Sequence, residues 1–328
     1  MGNRANWFPR AALAVALLCG ACALLWPKSS SALSAAQSPD WETAAGGKVA
    51  FNSASVKQNT TAPPNAVYFN IPLGPGDVYN PIGGIFRANN LPLATYIIFA
   101  YKLTPNQEQF LNSQLPKWAT TDRFDIQSRV EGNPTNPSKD QMRLMMQALL
   151  AYRFKLAAHY ETRQVPVFAL LVEQPGKLGP LLQKHADELP CPATWAVPSP
   201  PPTAPPQAVD NRFPATCGGM LGMTPSAPGR ARGGARNVSM ELIASSLTGG
   251  DSGVDLPIVD RTGLTGKFDF AIEFSPHGPS TVGGNFRPDP TGPTFTEALK
   301  EQLGLKLEPQ TGPVDLLIID YIAQLSPN

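Results

Sequence analysis

The tetrapeptide Asp260-Arg261-Thr262-Gly263 is the segment whose residue types and spacing most suggest chemistry. A carboxylate beside a guanidinium can polarise a bound ligand, so Asp260 and Arg261 are candidate ligand contacts. The same residues favour a tight turn, in which Asp260 accepts hydrogen bonds from backbone amides and Gly263 adopts a left-handed dihedral angle. We expect the turn and keep ligand contact as the functional alternative.

Two further carboxylates, Asp269 and Glu273, lie in a predicted strand shortly after Asp260. Positions 269 and 273 share one face of that strand because successive side chains alternate. The three carboxylates are therefore candidates for the acid and base groups of a polymer-acting hydrolase, placed in a cleft between two lobes. Charged side chains on the solvated face of a strand explain the same pattern.

The histidines and serines lack the partners that metal binding or catalysis requires. No ligand-type residue stands at metal-ligand spacing from His159, His185 or His277, which we expect at the surface or satisfied in a core. Ser252 lies in a GGDSG segment, but a nucleophile elbow needs GxSxG between a strand and a helix, and this segment follows a predicted helix. The sequence predicts no catalytic, metal-binding or cofactor-binding set.

Arg230, Arg232 and Arg236 form a basic cluster beside a proline-rich segment. Such a cluster could contact phosphates or anionic lipid. A solvated hinge is the simpler interpretation, and we expect it here.

The first 36 residues have the pattern of an export signal. Arg4 and Arg10 form a positive start, residues 11–26 are apolar, and residues 34–36 are small. We expect a periplasmic or secreted protein after cleavage; the alternative is that the segment is retained as a membrane anchor. Without residues 1–36 the chain has 23 basic and 25 acidic residues, a net charge of −2, so nucleic acid is not an expected partner.

Residues 181–233 are predicted to be a proline-rich insert that cannot bury a core. Cys191 and Cys217 lie within it, and in an oxidising compartment they most simply form a disulfide, which would stabilise the fold by about 3 kcal/mol. Two free thiols or a metal pair are the alternatives. Trp195, between the two cysteines, is a candidate ligand contact because it is hard to bury there.

Several elements on either side of this insert have clear signatures. Residues 123–130 alternate as a half-buried strand, and Ser138 and Gln141 form a capping box that starts an amphipathic helix. Residues 154–160 and 165–172 predict a hairpin that turns at 161–164, followed by a largely apolar second strand. Residues 37–48 are predicted to be a flexible lead-in.

The same order of elements recurs in the second half of the chain. Phe124-Asp125 matches Phe268-Asp269 at an offset of 144, and residues 166–172 match 313–319 at an offset of 147. We therefore predict an α+β fold with two similar lobes at 37–180 and 234–328, each with two helices on a small, mostly antiparallel sheet.

These motifs resemble a paralogous family of exported proteins from soil Acidobacteria, which carries a domain of unknown function. The resemblance covers roughly residues 49–328 and rests on four segments, at 141–156, 217–220, 259–270 and 302–307. Some family members carry the domain behind a membrane metallopeptidase, but this chain has no HExxH motif, so peptidase activity does not carry over. Each half is also similar in pattern to the short N-terminal domains of secretins and TonB-dependent receptors.

The resemblance to the family of unknown function implies no particular reaction, whereas the likeness to those short N-terminal domains, which mediate protein–protein contacts in the periplasm, implies a contact module. We expect a non-catalytic binding or interaction module of the cell envelope, whose partner is an envelope protein or an extracellular polymer. The alternatives are the hydrolase described above and a membrane-anchored, ligand-sensing ectodomain.

Overall fold

A computed structural model describes residues 39–46, 49–61, 66–130, 136–186, 212–276 and 287–325. The first sheet contains the strands β1 (Ser53–Asn59), β2 (Tyr68–Phe69), β3 (Ile85–Pro92) and β4 (Arg123–Arg129). They are antiparallel in the order β1-β4-β3-β2. The predicted alternation is present in β4, where Phe124, Ile126 and Ser128 are buried and the residues between them face outward.

Five helices accompany this sheet: α1 (Asp40–Ala44), α2 (Leu93–Ala100), α3 (Pro105–Gln114), α4 (Lys117–Thr121) and α5 (Lys139–Phe154). The capping box of Ser138 and Gln141 starts α5, as predicted. The prediction of two helices was wrong for this half. Short α1 and α4 carry little periodicity, and polar α3 is positioned by tertiary contacts described below. The structure also places a helix, α1, within the predicted flexible lead-in.

The second sheet contains β6 (Leu182–Lys184), β7 (Leu221–Gly222), β8 (Ala231–Val238) and β10 (Phe268–Phe274) in the order β6-β10-β8-β7. Helix α6 (Met240–Ser246) and helix α7 (Phe295–Ala298), which continues as a π-helical turn over Leu299–Leu303, complete this part. Strands β6 and β7 and the start of β8 come from residues 181–233. The ends of the predicted insert therefore contribute to a sheet, because they pair with strands on either side.

The third sheet corrects the predicted hairpin. Strand β5 (Ala157–Val172) is continuous through residues 161–164 and pairs antiparallel with β11 (Leu305–Tyr321), while the short β9 (Ile258–Asp260) runs parallel to β5. The polar residues that suggested a turn lie opposite 313–316, and Thr162 donates a hydrogen bond to the Asp315 carboxylate at 2.5 Å. A matching partner strand thus stabilises a polar segment in extended form.

The two long strands each contribute to both hydrophobic cores. The first core contains Leu156 and Tyr160 from the start of β5 together with Leu317 from the end of β11. The second core contains Leu170 from the end of β5 and Leu305 from the start of β11. Each strand therefore begins in one core and ends in the other, and the two halves share their packing.

A bulge with the same local geometry occurs in both four-stranded sheets. Asn90 and Asn237 have positive φ angles of 61° and 56°. The backbone amide of Asn90 donates to the Asp125 carboxylate at 2.8 Å, and that of Asn237 donates to Asp269 at 3.0 Å. The aspartate of each Phe-Asp pair thus stabilises a strained turn of the neighbouring strand. No helix in the described part of the chain is long and apolar enough to cross a membrane.

Candidate functional site

A cavity of about 590 Å³, here called the cleft, opens between the N-terminal half (α1 to β5) and the C-terminal half (β6 to β11). Its N-terminal wall comes from α1, the 75–77 loop and the residues between α2 and α3. Its C-terminal wall comes from the end of β8, the start of α6, Lys267 and Asp315 of β11. The cleft therefore depends on both halves.

Trp41 and Lys102 are central to the N-terminal wall. The Lys102 ammonium lies 5.6 Å from the centroid of the Trp41 ring, which is a favourable cation–π distance. Lys102 also forms ion pairs with Asp77 at 2.6 Å and Asp140 at 3.3 Å. Burial alone would raise the pKa of Asp77, but the hydrogen bond and charge of Lys102, with Arg143, hold it below its ordinary value. Burial, aided by a nearby glutamate, raises the pKa of Tyr101 in this wall to about 12.

Buried cations hold the loop that carries Asp77. The guanidinium of Arg143, which is 0% exposed, donates to the carbonyls of residues 74, 75 and 76 at 3.1, 3.1 and 2.9 Å and also pairs with Asp77 and Asp140. The ammonium of Lys139 donates to the carbonyl of Gly74 at 2.9 Å and to that of residue 76. Burial and the nearby Arg143 lower the pKa of Lys139 well below its ordinary value. These contacts fix the edge of the cleft.

Two glycines bring the halves together beside the cleft. A Cβ on Gly76 would lie 1.6 Å from the carbonyl oxygen of Gly218, and a Cβ on Gly218 would lie 2.5 Å from the Val78 side chain. Gly218 also has a φ of +85°, a conformation that L side chains rarely adopt. The close crossing of the two backbones thus explains the glycine at position 218 of the segment 217–220.

The C-terminal wall is polar and carries mostly negative charge. Ser239 caps α6 by accepting from the amide of Leu242 at 3.3 Å, which places exposed Glu241 at the opening. Asp40 of the opposite wall and Lys267 are likewise exposed, and neither they nor Glu241 form an ion pair within the described residues. With Asp77 and Lys102 neutralising each other, the remaining charged side chains are three carboxylates and one amine.

The Asp260-Arg261 pair lines a separate, smaller cavity of about 350 Å³, here called the side cavity. The predicted turn is present, since Asp260 accepts hydrogen bonds from the Thr262 amide at 2.9 Å and its hydroxyl at 2.8 Å, and Gly263 has a φ of +71°. The side cavity shares Thr104, Gln107, Glu241 and Asp315 with the cleft. The structure therefore places Asp260 and Arg261 beside the cleft rather than in it.

Asp269 is buried in a polar cluster outside both cavities. Its carboxylate contacts the His185 imidazole at 2.7 Å and lies 3.7 Å from the Arg236 guanidinium. Asp269 and His185 are 1% and 4% exposed, respectively. This cluster, with the Asn237 amide described above, ties β6 to the bulge of β8 and gives Asp269 a structural role.

Glu273 is also engaged in ion pairs. It accepts from the amide of Ser226 at 2.9 Å and from the hydroxyl of the same residue, and lies 3.4 Å from Arg230 and 3.9 Å from Arg232. Although burial opposes it, the Ser226 hydrogen bonds and the arginines lower the pKa of Glu273. Arg230 also pairs with Asp289 at 2.8 Å. The expectation of a solvated hinge was wrong, because these arginines lie in or beside β8 and neutralise carboxylates.

The structure therefore does not bring Asp260, Asp269 and Glu273 together. His159, on β5, contacts Asp320 at 2.9 Å at the surface. Trp195, Cys191 and His277 lie outside the described residues, so the disulfide remains a prediction. Cys217 is 1% exposed. Within the described residues no group of three or more histidine, cysteine, aspartate and glutamate side chains could hold a metal ion.

Sequence reasoning missed the residues that form the cleft. Trp41 lies in a segment predicted to be flexible, and Lys102 and Gln107 lie in a stretch without hydrophobic periodicity. A signal was available in the capping pattern of Thr104, Pro105 and Gln107, which starts α3.

Comparison with known families identifies the class of this chain. Residues 94–322 match the family described as a protein of unknown function (DUF3738), and the chain belongs to that family. No curated protein and no solved structure matches the chain.

Proposed function

We propose that this protein is an exported, non-catalytic binding module of the cell envelope and that the cleft accepts its ligand. The observation that carries the proposal is the composition of the cleft, which combines an aromatic wall, hydrogen-bonding side chains from both halves and an excess of exposed carboxylates. Ligand sites commonly have this concave form with a few convergent polar groups.

The charge of the cleft suggests the class of ligand. Asp40, Glu241, Asp315 and Lys267 line the cleft, so carboxylates outnumber amines and a positively charged ligand gains more than a negatively charged one. The Lys102 ammonium already lies over the Trp41 ring, so Trp41 can contribute to the cleft by packing against the alkyl part of a lysine side chain. A short peptide segment with lysine side chains, presented by an envelope protein, has this chemistry.

Two parts of the proposal concern architecture and location. The matched bulges at Asn90 and Asn237 support an internal duplication into two similar lobes, with β5 and β11 exchanged between them. The export pattern of residues 1–36 and the Cys191–Cys217 pairing expected in an oxidising compartment support a place outside the cytoplasm.

The hydrolase alternative has less support. Asp269 and Glu273 lie outside the cleft, where Asp269 contacts a histidine and Glu273 contacts a serine and an arginine. These contacts compensate for the burial of the two carboxylates. General acid and base groups must converge on one reacting bond, and these do not.

Isothermal titration with a short lysine-rich peptide and its glutamate counterpart tests the proposal. We expect the lysine peptide to bind more tightly and Glu241→Gln to weaken its binding about threefold, the effect of one exposed ion pair. Glu301→Gln is the matched control, because Glu301 is exposed on the π-helical turn and lies outside the lining of the cleft. Equal binding of both peptides, or equal effects of both substitutions, would refute this function.

A further inference from the structure

The outer face of the first sheet carries four exposed cations. Arg123 and Arg129 lie on β4, Lys57 on β1 and Arg87 on β3, and all four are exposed. Lys57 lies opposite Asp125, and Arg87 opposite Gln127, so these side chains share the face that also carries Arg123 and Arg129. We call Lys57, Arg87, Arg123 and Arg129 the basic face.

Within the described residues these cations have no structural counter-charges. The side chains of these four residues form no ion pair or hydrogen bond with the described residues. Asp125, the carboxylate on the same face, instead accepts from the Asn59 side chain and from the Asn90 backbone amide. Among the described residues of this face, four cations against one carboxylate leave an excess of three positive charges. The diagonal neighbours Arg87 and Arg129 are about 7–8 Å apart, a like-charge arrangement that by itself destabilises a sheet.

The second sheet offers a comparison, because the charged side chains of its strand β10 are buried and paired with opposite charges. On β10 the positions matching 125 and 129 are Asp269 and Glu273, and every residue of that strand is buried. Their charges are neutralised by arginines of β8 and by Arg230. The contrast within one molecule indicates that the bare cations of the first sheet are available for a ligand.

We propose that the basic face binds an acidic extracellular polysaccharide, independently of the cleft. The cations extend from Arg123 to Arg129, a distance of about 20 Å along an extended strand, which suits a linear polymer with repeated carboxylates. Between them lie side chains that can hydrogen-bond sugar hydroxyls, namely Ser53, Ser55 and Gln127. This polar surface, which includes an open concavity lined by Arg87, Gln127 and Arg129, is better matched to a hydrated polymer than to a membrane, which would require exposed apolar side chains.

Nucleic acid has less support as the occupant. Sequence-tolerant binding of single strands depends on aromatic side chains that stack with bases, and the face carries one aromatic residue, Tyr68, at its edge on β2. The chain also lacks the strong positive charge that typically accompanies nucleic-acid binding, since its formal net charge is +1.

The test uses the full mature chain with polygalacturonate as the acidic probe and dextran of the same length as the neutral one. We expect polygalacturonate to bind, dextran not to bind, and the affinity to fall as sodium chloride is raised, because exposed charges are screened. The double substitution Arg87→Gln and Arg129→Gln should raise the dissociation constant about tenfold, from two lost surface ion pairs. Lys177→Gln, which removes an exposed cation elsewhere, should change it less than twofold.

Two further ligands complete the design. Tighter binding of single-stranded DNA, or of phosphatidylglycerol vesicles, than of polygalacturonate would overturn the proposal, as would equal losses for the double variant and Lys177→Gln. Thermal unfolding of each variant shows whether it is folded, and we expect no loss of stability because the replaced side chains are exposed and unpaired. The proposal also fails if the double glutamine variant loses binding because it is unfolded. It fails as well if the double variant Arg87→Lys and Arg129→Lys, which keeps both charges, binds as weakly as the glutamine variant.

Discussion

Replacing Arg143 by methionine should destabilise the protein more than any surface substitution. The guanidinium is completely buried, donates to three backbone carbonyls of the 74–76 loop and pairs with Asp77 and Asp140. Removing one partner of a buried ion pair typically costs about 3–5 kcal/mol, because the remaining charges stay desolvated. Lys102 and Lys139 remain beside the carboxylates, so we expect the lower end, about 3 kcal/mol.

The assay is urea unfolding followed by tryptophan fluorescence, with the same substitution at Arg87 as the matched control. Arg87 is exposed and unpaired, so Arg87→Met should change the free energy of unfolding by no more than about 0.5 kcal/mol. Arg143→Lys keeps the charge but loses the fork that reaches three carbonyls, and should lie between the two. The reasoning is refuted if Arg143→Met and Arg87→Met are equally stable, with the same dependence of the free energy on urea concentration.

Three other outcomes follow from the described contacts. Hydrogen bonds and a neighbouring arginine lower the pKa of Asp289 from 3.8 to about 2. The ionised Asp289 therefore stabilises the fold fully above about pH 4, and this contribution is lost as the pH falls towards 2. The melting temperatures of the wild type and of Asp289→Asn should converge over that pH range. Gly76→Ala should lower the free energy of unfolding by about 1–3 kcal/mol or more, because the added Cβ meets a backbone oxygen. Gly219→Ala, whose added Cβ has nothing within 4 Å, should leave the free energy of unfolding in urea nearly unchanged. If Cys191 and Cys217 are paired, the mature chain unfolded in urea should take up no iodoacetamide until a reductant is added, and labelling of the unfolded chain without reductant would disprove the pairing.

Local signals in the sequence predicted the elements that local interactions stabilise. The alternation in β4 and the capping box of α5 are properties of short segments, and both are present. Helix α3 was missed because it is mostly polar and owes its position to tertiary hydrogen bonds. Gln107 and Gln114, two turns apart, donate to the carbonyls of Asp315 and Leu317 at 2.8 and 2.9 Å and so cover the open edge of β11.

The long strands and the cleft depend on contacts that periodicity does not encode. A polar interruption within an apolar run favours a turn when only the segment itself is considered. In the structure the interruption of β5 pairs with a segment about 150 residues later, which no local pattern reveals. The basic face, in contrast, could have been predicted from the sequence. The alternation in 123–130 already placed Arg123 and Arg129 on the solvent side.

The pairing of β5 with β11 also determines how the cleft can respond to a ligand. Both walls are attached to strands that cross from one core to the other, and Gln107 and Gln114 fasten α3 to β11. Hinge closure requires a few residues at an element boundary that absorb large changes of φ and ψ, whereas here sixteen paired positions connect the halves. Opening the cleft by hinge motion would break both cores. We therefore expect a preformed site, in which recognition depends on side chains such as Trp41 and Glu241 rather than on movement of one half against the other.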